Sequence, residues 1–186
     1  MLALPGRTTP AAEPAAGVPV WDRFVRVFHW ALVVCVLANF FVIDDGETVH
    51  RWLGYLASGL VVARVACGFM GSRYARFSNF FPAPARLRQH WRHLVRREPD
   101  DTVGHNPFGA LMMLALMVLV LALGLTGFLQ ATDRFFGVEW MQDIHEAVGQ
   151  ALMVLAGLYA VSALVMGRLE RTRLVKAVFT GVKEHY

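Results

Sequence analysis

Two histidines, His50 and His145, each open an apolar run and each follow an acidic connection. Each is followed four residues later by glycine, Gly54 after His50 and Gly149 after His145. Positions i and i+4 share a helix face, so each glycine sits beside its histidine. Ionisable side chains inside a bilayer are costly and are usually retained for function. Two histidines facing each other across a helix bundle are the axial pair that an iron porphyrin takes from a protein. A glycine beside each ligand removes the side chain that would strike the porphyrin edge. The competing reading is a pair of interfacial histidines whose glycines only let helices approach. One His-x-x-x-Gly is a weak signal. Two, at like depth on runs of the same direction, favour the haem reading.

A second layer lies deeper. Fourteen residues after His50 comes Arg64, and fourteen after His145 comes Tyr159; at 1.5 Å per residue both are about 21 Å further in. The first apolar run goes the other way, and its His29 reaches a similar depth, 14 residues before Ile43. Arg64 in mid-span needs a counter-charge, a water-filled cavity or a route to the surface. A haem propionate and the lipid phosphates serve equally well. His105, just before the third run, reads as a capping or interfacial residue, and His90, His93 and His185 read as solvated. Zinc chemistry fits poorly, because His145-Glu146 lacks the second histidine of H-E-x-x-H. No phosphate loop, G-x-S-x-G or dinucleotide fingerprint is present. No residue reads as catalytic.

The elements that must position these residues are membrane spans. The chain has 186 residues, 56% of them hydrophobic, with mean hydropathy +0.44, too apolar for a soluble domain of this size. Four runs, at residues 21–43, 49–70, 107–129 and 142–166, are each long enough to cross a bilayer. The fold expected is all-α, an integral membrane four-helix bundle in one domain over residues 21–183. Residues 1–20, rich in Ala and Pro, read as a flexible tail without a signal-peptide core, and residues 184–186 as a short tail. Fifteen of the 18 Lys and Arg residues fall in the N-terminal region, the 71–106 loop and the C-terminal region. Arg51 and Arg134 lie on the other side, among Asp44, Asp45, Glu47, Asp133, Glu139, Asp143 and Glu146. The positive-inside rule then makes both termini cytoplasmic, with His50 and His145 towards the outer face of a bacterial inner membrane. Membrane orientation accounts for the basic charge, so no nucleic-acid partner is expected. Residues 85–97 alternate Arg with apolar side chains and suit an amphipathic helix on the inner surface. Cys35 and Cys67 fall inside spans and read as small apolar residues. No C-x-x-C-H exists for covalent haem attachment.

Five strings carry a family resemblance: V-W-D-R-F-V-R-V-F-H-W at His29, H-R-W-L-G-Y at His50, G-F-M-G-S-R-Y-A-R-F after the second run, G-H-N-P-F-G-A-L-M at the third, and L-V-K-A-V-F-T-G-V-K near the end. Together they make residues 20–183 resemble the bacterial cytochrome b561 family, which includes the b-type cytochrome subunit of nickel–iron hydrogenases. The resemblance implies a four-helix membrane bundle holding two non-covalent haems b, each between two histidines. It also implies electron passage between the quinone pool and a partner protein or subunit, or oxidation of a small reductant.

Carried over by position, the resemblance gives the outer haem to His50 and His145, and one ligand of the inner haem to His29. The other inner ligand in the family is a second histidine 14 residues after the first on the fourth span. Tyr159 stands there instead. A neutral tyrosine binds haem iron poorly, although tyrosinate does so in catalase. Three arrangements follow for the inner layer: no haem, with Tyr159 and Arg64 filling the space; a five-coordinate haem on His29; or completion by His105 or a nearby Met. The expected function is membrane electron transfer through the outer haem. Trp140 and the 135–143 segment lie near its edge, with an acidic rim for a basic redox partner. Two other classes use the same residues. One is an oxidoreductase oxidising superoxide or a quinol at the outer haem, or doing oxygen chemistry at an open His29 haem. The other is a haem-containing membrane anchor or sensor for a partner subunit. Small residues four apart, such as Ala156 and Ala160, fit a homodimer contact as well as packing within the bundle.

Overall fold

The computed structural model describes residues 18–19, 23–70, 88, 92, 107–169 and 182–183. Four helices dominate: α1 (Arg23–Phe41), α2 (Thr48–Met70), α3 (Pro107–Gln130) and α4 (Glu139–Leu169). Their 19 to 31 residues give lengths of about 28 to 46 Å at 1.5 Å per residue. All four contain a stretch long and apolar enough to cross a membrane. The all-α four-span architecture expected from the sequence is therefore the one observed.

The distribution of apolar residues identifies the solvent. Large apolar side chains such as Val34, Phe41, Val118, Leu125 and Val154 point outwards and are exposed. The buried core cluster is small: Cys35, Ala57, Val61, Met117, Val120 and Leu152. In water such an exterior would aggregate. In hydrocarbon it is the correct surface, and helices satisfy their own backbone groups there. Association then depends on close packing of small residues. A Cβ added to Gly124 on α3 would lie 2.9 Å from Ser58 Cβ on α2 and would strike the Ser58 hydroxyl as well. Glycine at 124 is what lets α2 and α3 close. Close packing joins α1 to α2, α2 to α3 and α3 to α4.

Two short connections lie at the same end of the bundle. Between α1 and α2, the amides of Val42 and Ile43 both donate to Ala38 O at 3.0 Å, and Gly46 turns the chain with φ +81°. Glu47 O accepts the Arg51 amide at 3.2 Å and so starts α2. Between α3 and α4, the Phe136 amide donates to Thr132 O at 2.9 Å, and Gly137 takes φ +73°. Only glycine adopts such a φ without strain. Val138 O then accepts from Met141 and Gln142. Helix α4 therefore begins at Glu139, three residues before the start read from the sequence. Glu139 in the first turn suits the positive end of the helix dipole. Acidic residues that look like loop in a hydropathy reading are here the first turns of α4.

At the other end, two-residue strands β1 (Val18–Pro19) and β2 (Val182–Lys183) pair antiparallel, Val18 opposite Lys183 and Pro19 opposite Val182. The flank before α1 and the flank after α4 are thus joined at one end of the bundle. Residues 1–17, expected as a flexible tail, lie outside the described residues, as do residues 184–186. The surface helix expected at 85–97 also lies outside them, except for Arg88 and Arg92, which are helical and exposed.

Candidate functional site

The two connections bring His50 and His145 face to face. His50 is the third residue of α2 and His145 the seventh of α4. Their ring centroids are 6.2 Å apart, with the rings inclined at 60°. Both side chains are half-buried. Helices α2 and α4 are not among the closely packed pairs, so the two rings meet across the bundle without their backbones touching.

Each ring is held differently. Thr126 on α3 places its Oγ1 2.7 Å from His145 Nδ1. The same hydroxyl lies 2.8 Å from Ala122 O and 3.2 Å from Leu123 O, one turn back on its own helix. Gly127 lies beside it, and a Cβ there would come within 3.3 Å of His145 Cε1. Helix α3 therefore cradles the His145 ring with a hydroxyl and a bare backbone. His50 Nδ1 is buried and makes no hydrogen bond among the described residues, and the Asp45 carboxylate stands 3.8 Å from it. The His50 backbone is fixed instead: Asn39 Nδ2 on α1 donates to His50 O at 3.1 Å.

Gly54 and Gly149 carry the two sequence readings, a cleared porphyrin edge and a close helix approach. A Cβ at Gly54 would meet nothing nearer than Asn39 Nδ2 at 3.8 Å, and one at Gly149 nothing nearer than Leu123 Cδ2 at 3.9 Å. Those are ordinary contact distances. Helix packing requires glycine at 124 and favours it at 127, but does not require it at 54 or 149.

The three residues expected at a second layer lie on three different helices. His29 on α1 is half-buried and meets Trp30 edge-on, with ring centroids 5.4 Å apart. Arg64 on α2 is the buried charge of the described residues, 5% exposed. Tyr159 on α4 is half-buried, and its carbonyl accepts the Ser162 hydroxyl at 2.8 Å. His90, His93, His105 and His185 lie outside the described residues. Cys35 is buried, Cys67 is half-buried, and both are free thiols, as the sequence suggested. Thr126 and Gly127 had not stood out in the sequence. Their signal is positional: they lie on the third span at the depth of the two histidines.

The fit to a haem can be tested on the ring separation. One metal ion bonded to two opposed imidazoles at about 2 Å from each nitrogen holds the ring centroids about 6 Å apart. The observed 6.2 Å satisfies that requirement. His145 engages Thr126 through Nδ1, which leaves Nε2 as the nitrogen available to a metal. Among the described residues no three His, Cys, Asp or Glu side chains converge on a point. Two opposed imidazoles without a third such donor would suit a porphyrin-bound iron better than a bare metal ion.

Comparison with known proteins agrees with this chemistry. The sequence profile described as "Prokaryotic cytochrome b561" matches residues 20–181. A curated protein of Azotobacter vinelandii, "Probable Ni/Fe-hydrogenase B-type cytochrome subunit", is 28% identical over 174 residues, covering 69% of this chain and 71% of that one. A protein of the same name from Bradyrhizobium diazoefficiens is 25% identical over 226 residues, covering 94% of this chain and 90% of its own length. Another, from Rhizobium leguminosarum bv. viciae, is 27% identical over 139 residues, covering 60% and 58%. No solved structure matches the chain. Four membrane-spanning helices, an opposed histidine pair and a family match across most of its length make this chain a member of the prokaryotic cytochrome b561 family, the multi-pass membrane cytochromes that carry electrons on haem b.

Proposed function

We propose that His50 and His145 would hold a haem b, and that the chain passes electrons between a redox partner at its outer face and the membrane. The ring separation of 6.2 Å carries this reading. Bound haem supplies reversible one-electron oxidation and reduction. The chain's own residues do the rest. The His50 backbone is tied to α1 through Asn39, and the His145 ring is tied to α3 through Thr126. Gly54 and Gly149 add no side chain of their own beside the two rings, where the Asn39 and Leu123 side chains lie 3.8 and 3.9 Å from an added Cβ. The apolar helices exclude water from the site, and the two short connections keep it close to one end of the bundle.

That end is the outer one on the charge distribution, with both termini cytoplasmic in a bacterial inner membrane. The relatives are named as subunits of nickel–iron hydrogenases, so a hydrogenase-type subunit is the proposed partner. Quinone within the bilayer is the proposed second reactant. At the inner layer, Tyr159 stands 14 residues beyond His145 where a histidine would complete a second pair. Any haem held there by His29 would have to take its second ligand from a residue other than a histidine at position 159.

Haem content and spectra of the detergent-purified chain test the proposal. The wild type is expected to give one low-spin bis-histidine haem. His50→Ala and His145→Ala should each abolish that low-spin signal, and His29→Ala should leave it intact. A wild-type protein without haem sinks the reading. A low-spin signal that survives in His145→Ala moves the ligand elsewhere.

A further inference from the structure

The proposed ligand pair is asymmetric, and the asymmetry lies in what holds each ring. His50 Nδ1 makes no hydrogen bond. His145 Nδ1 lies 2.7 Å from a hydroxyl. A threonine hydroxyl has one proton and two lone pairs. Within reach of the Thr126 proton are Ala122 O at 2.8 Å and Leu123 O at 3.2 Å, the usual acceptors for a threonine inside a helix. A carbonyl only accepts, so the hydroxyl proton satisfies it. The Thr126 oxygen then faces His145 with a lone pair, and the bond at 2.7 Å requires a proton on His145 Nδ1. That tautomer leaves Nε2 bare. The reverse arrangement, with the hydroxyl donating to Nδ1, would put the imidazole proton on Nε2 and block metal binding.

We propose that Thr126 is a positioning residue that fixes His145 in the Nδ1–H tautomer and strengthens it as a haem ligand, acting as a proton acceptor from α3. This inference rests on the His50–His145 haem reading. Partners that accept the outer N–H of a metal-bound imidazole orient the ring and raise its basicity. A more basic imidazole stabilises the oxidised metal and lowers the reduction potential. The ring's orientation is fixed from two sides. Thr126 holds Nδ1, and Gly127 lets the Cε1 edge lie against α3 where a methyl group would press at 3.3 Å. Among the described residues His50 Nδ1 has no hydrogen-bond acceptor of this kind, only the exposed Asp45 carboxylate at 3.8 Å, so the two rings are held unequally.

Thr126→Val and Thr126→Ser in the full-length, detergent-purified chain separate the roles of oxygen and shape. Valine keeps the volume and removes the acceptor; serine keeps the acceptor and removes the methyl group. Haem transfer to excess apomyoglobin reads ligand strength, and a redox titration followed in the visible spectrum reads ligand basicity. In Thr126→Val, haem loss should be about tenfold faster and the reduction potential should rise. Thr126→Ser should stay close to wild type in both. If Thr126→Val matches wild type, or if valine and serine lose haem equally, the hydroxyl does not position His145 and the inference fails. If wild type binds no haem, the failure belongs to the ligand assignment on which it rests.

Discussion

Four glycines near the two histidines separate packing from ligand accommodation. At Gly127 an added methyl group would press on the His145 ring, and at Gly124 it would strike Ser58. At Gly54 and Gly149 it would meet nothing closer than ordinary contact distance. In the haem-free chain, Gly54→Ala and Gly149→Ala should therefore be tolerated, and alanine is the better helix former by about 1 kcal/mol. If a porphyrin edge lies along these faces, the same substitutions should cut haem content several-fold. The expected result is unchanged or raised thermal stability of the haem-free protein with reduced haem retention. Full haem retention in both variants would return these glycines to ordinary helix positions. The His-x-x-x-Gly repeat was legible in the sequence because each pair shares one helix face. Thr126 was not legible. A lone threonine in an apolar span is usually bonded to its own helix, and only the fold places a second helix's histidine within 2.7 Å of it.

Among the elements, α3 is the most apolar, and it touches both helices of the opposed histidine pair. It packs against α2 at Gly124 and Ser58, and it supports His145 through Thr126 and Gly127. Its role is to set the distance between the two ligand-bearing helices. Gly124→Ala should force α2 and α3 apart, since a Cβ there would stand 2.9 Å from Ser58 Cβ. Overpacking of this kind costs about 1–3 kcal/mol. Ser58→Gly, made together with Gly124→Ala, should recover much of that loss. Unfolding of the detergent-solubilised variants, followed by far-UV circular dichroism, reads both effects. Additive losses in the double variant would mean that the two positions do not share one contact. Hydropathy located the four helices because 18 or more apolar residues in a row have few other uses. It began the fourth span three residues after the helix start, because Glu139 and Trp140 belong to an exposed first turn next to a polar connection. It could not give the Gly124–Ser58 contact, since interhelical register depends on pairs of residues far apart in sequence.

For the whole molecule, function depends on which face does what, and charge decides that. The end that carries the two short connections presents Asp44, Asp45, Glu47, Asp133, Glu139, Asp143 and Glu146, all exposed, against exposed Arg51 and Arg134. Seven carboxylates and two guanidinium groups leave a net charge of −5 around the His50–His145 layer. Such a rim attracts a basic partner over a distance set by the ionic atmosphere, about 30 Å at 0.01 M salt and about 3 Å at 1 M. Electron exchange with a basic soluble redox protein should therefore slow by tenfold or more between those limits, through the association step. Exchange with a quinone analogue follows a different law. Quinones are uncharged and approach through the apolar surface, so their rate should be nearly independent of salt. Asp133→Lys combined with Glu139→Lys should flatten the salt dependence for the protein partner and leave the quinone rate alone. If both reactants are insensitive to salt, the acidic rim sets topology only and the docking role fails. If both are equally sensitive, the quinone analogue is reaching the haem from the aqueous face, and the proposed separation of an outer protein partner from a membrane-borne one is wrong.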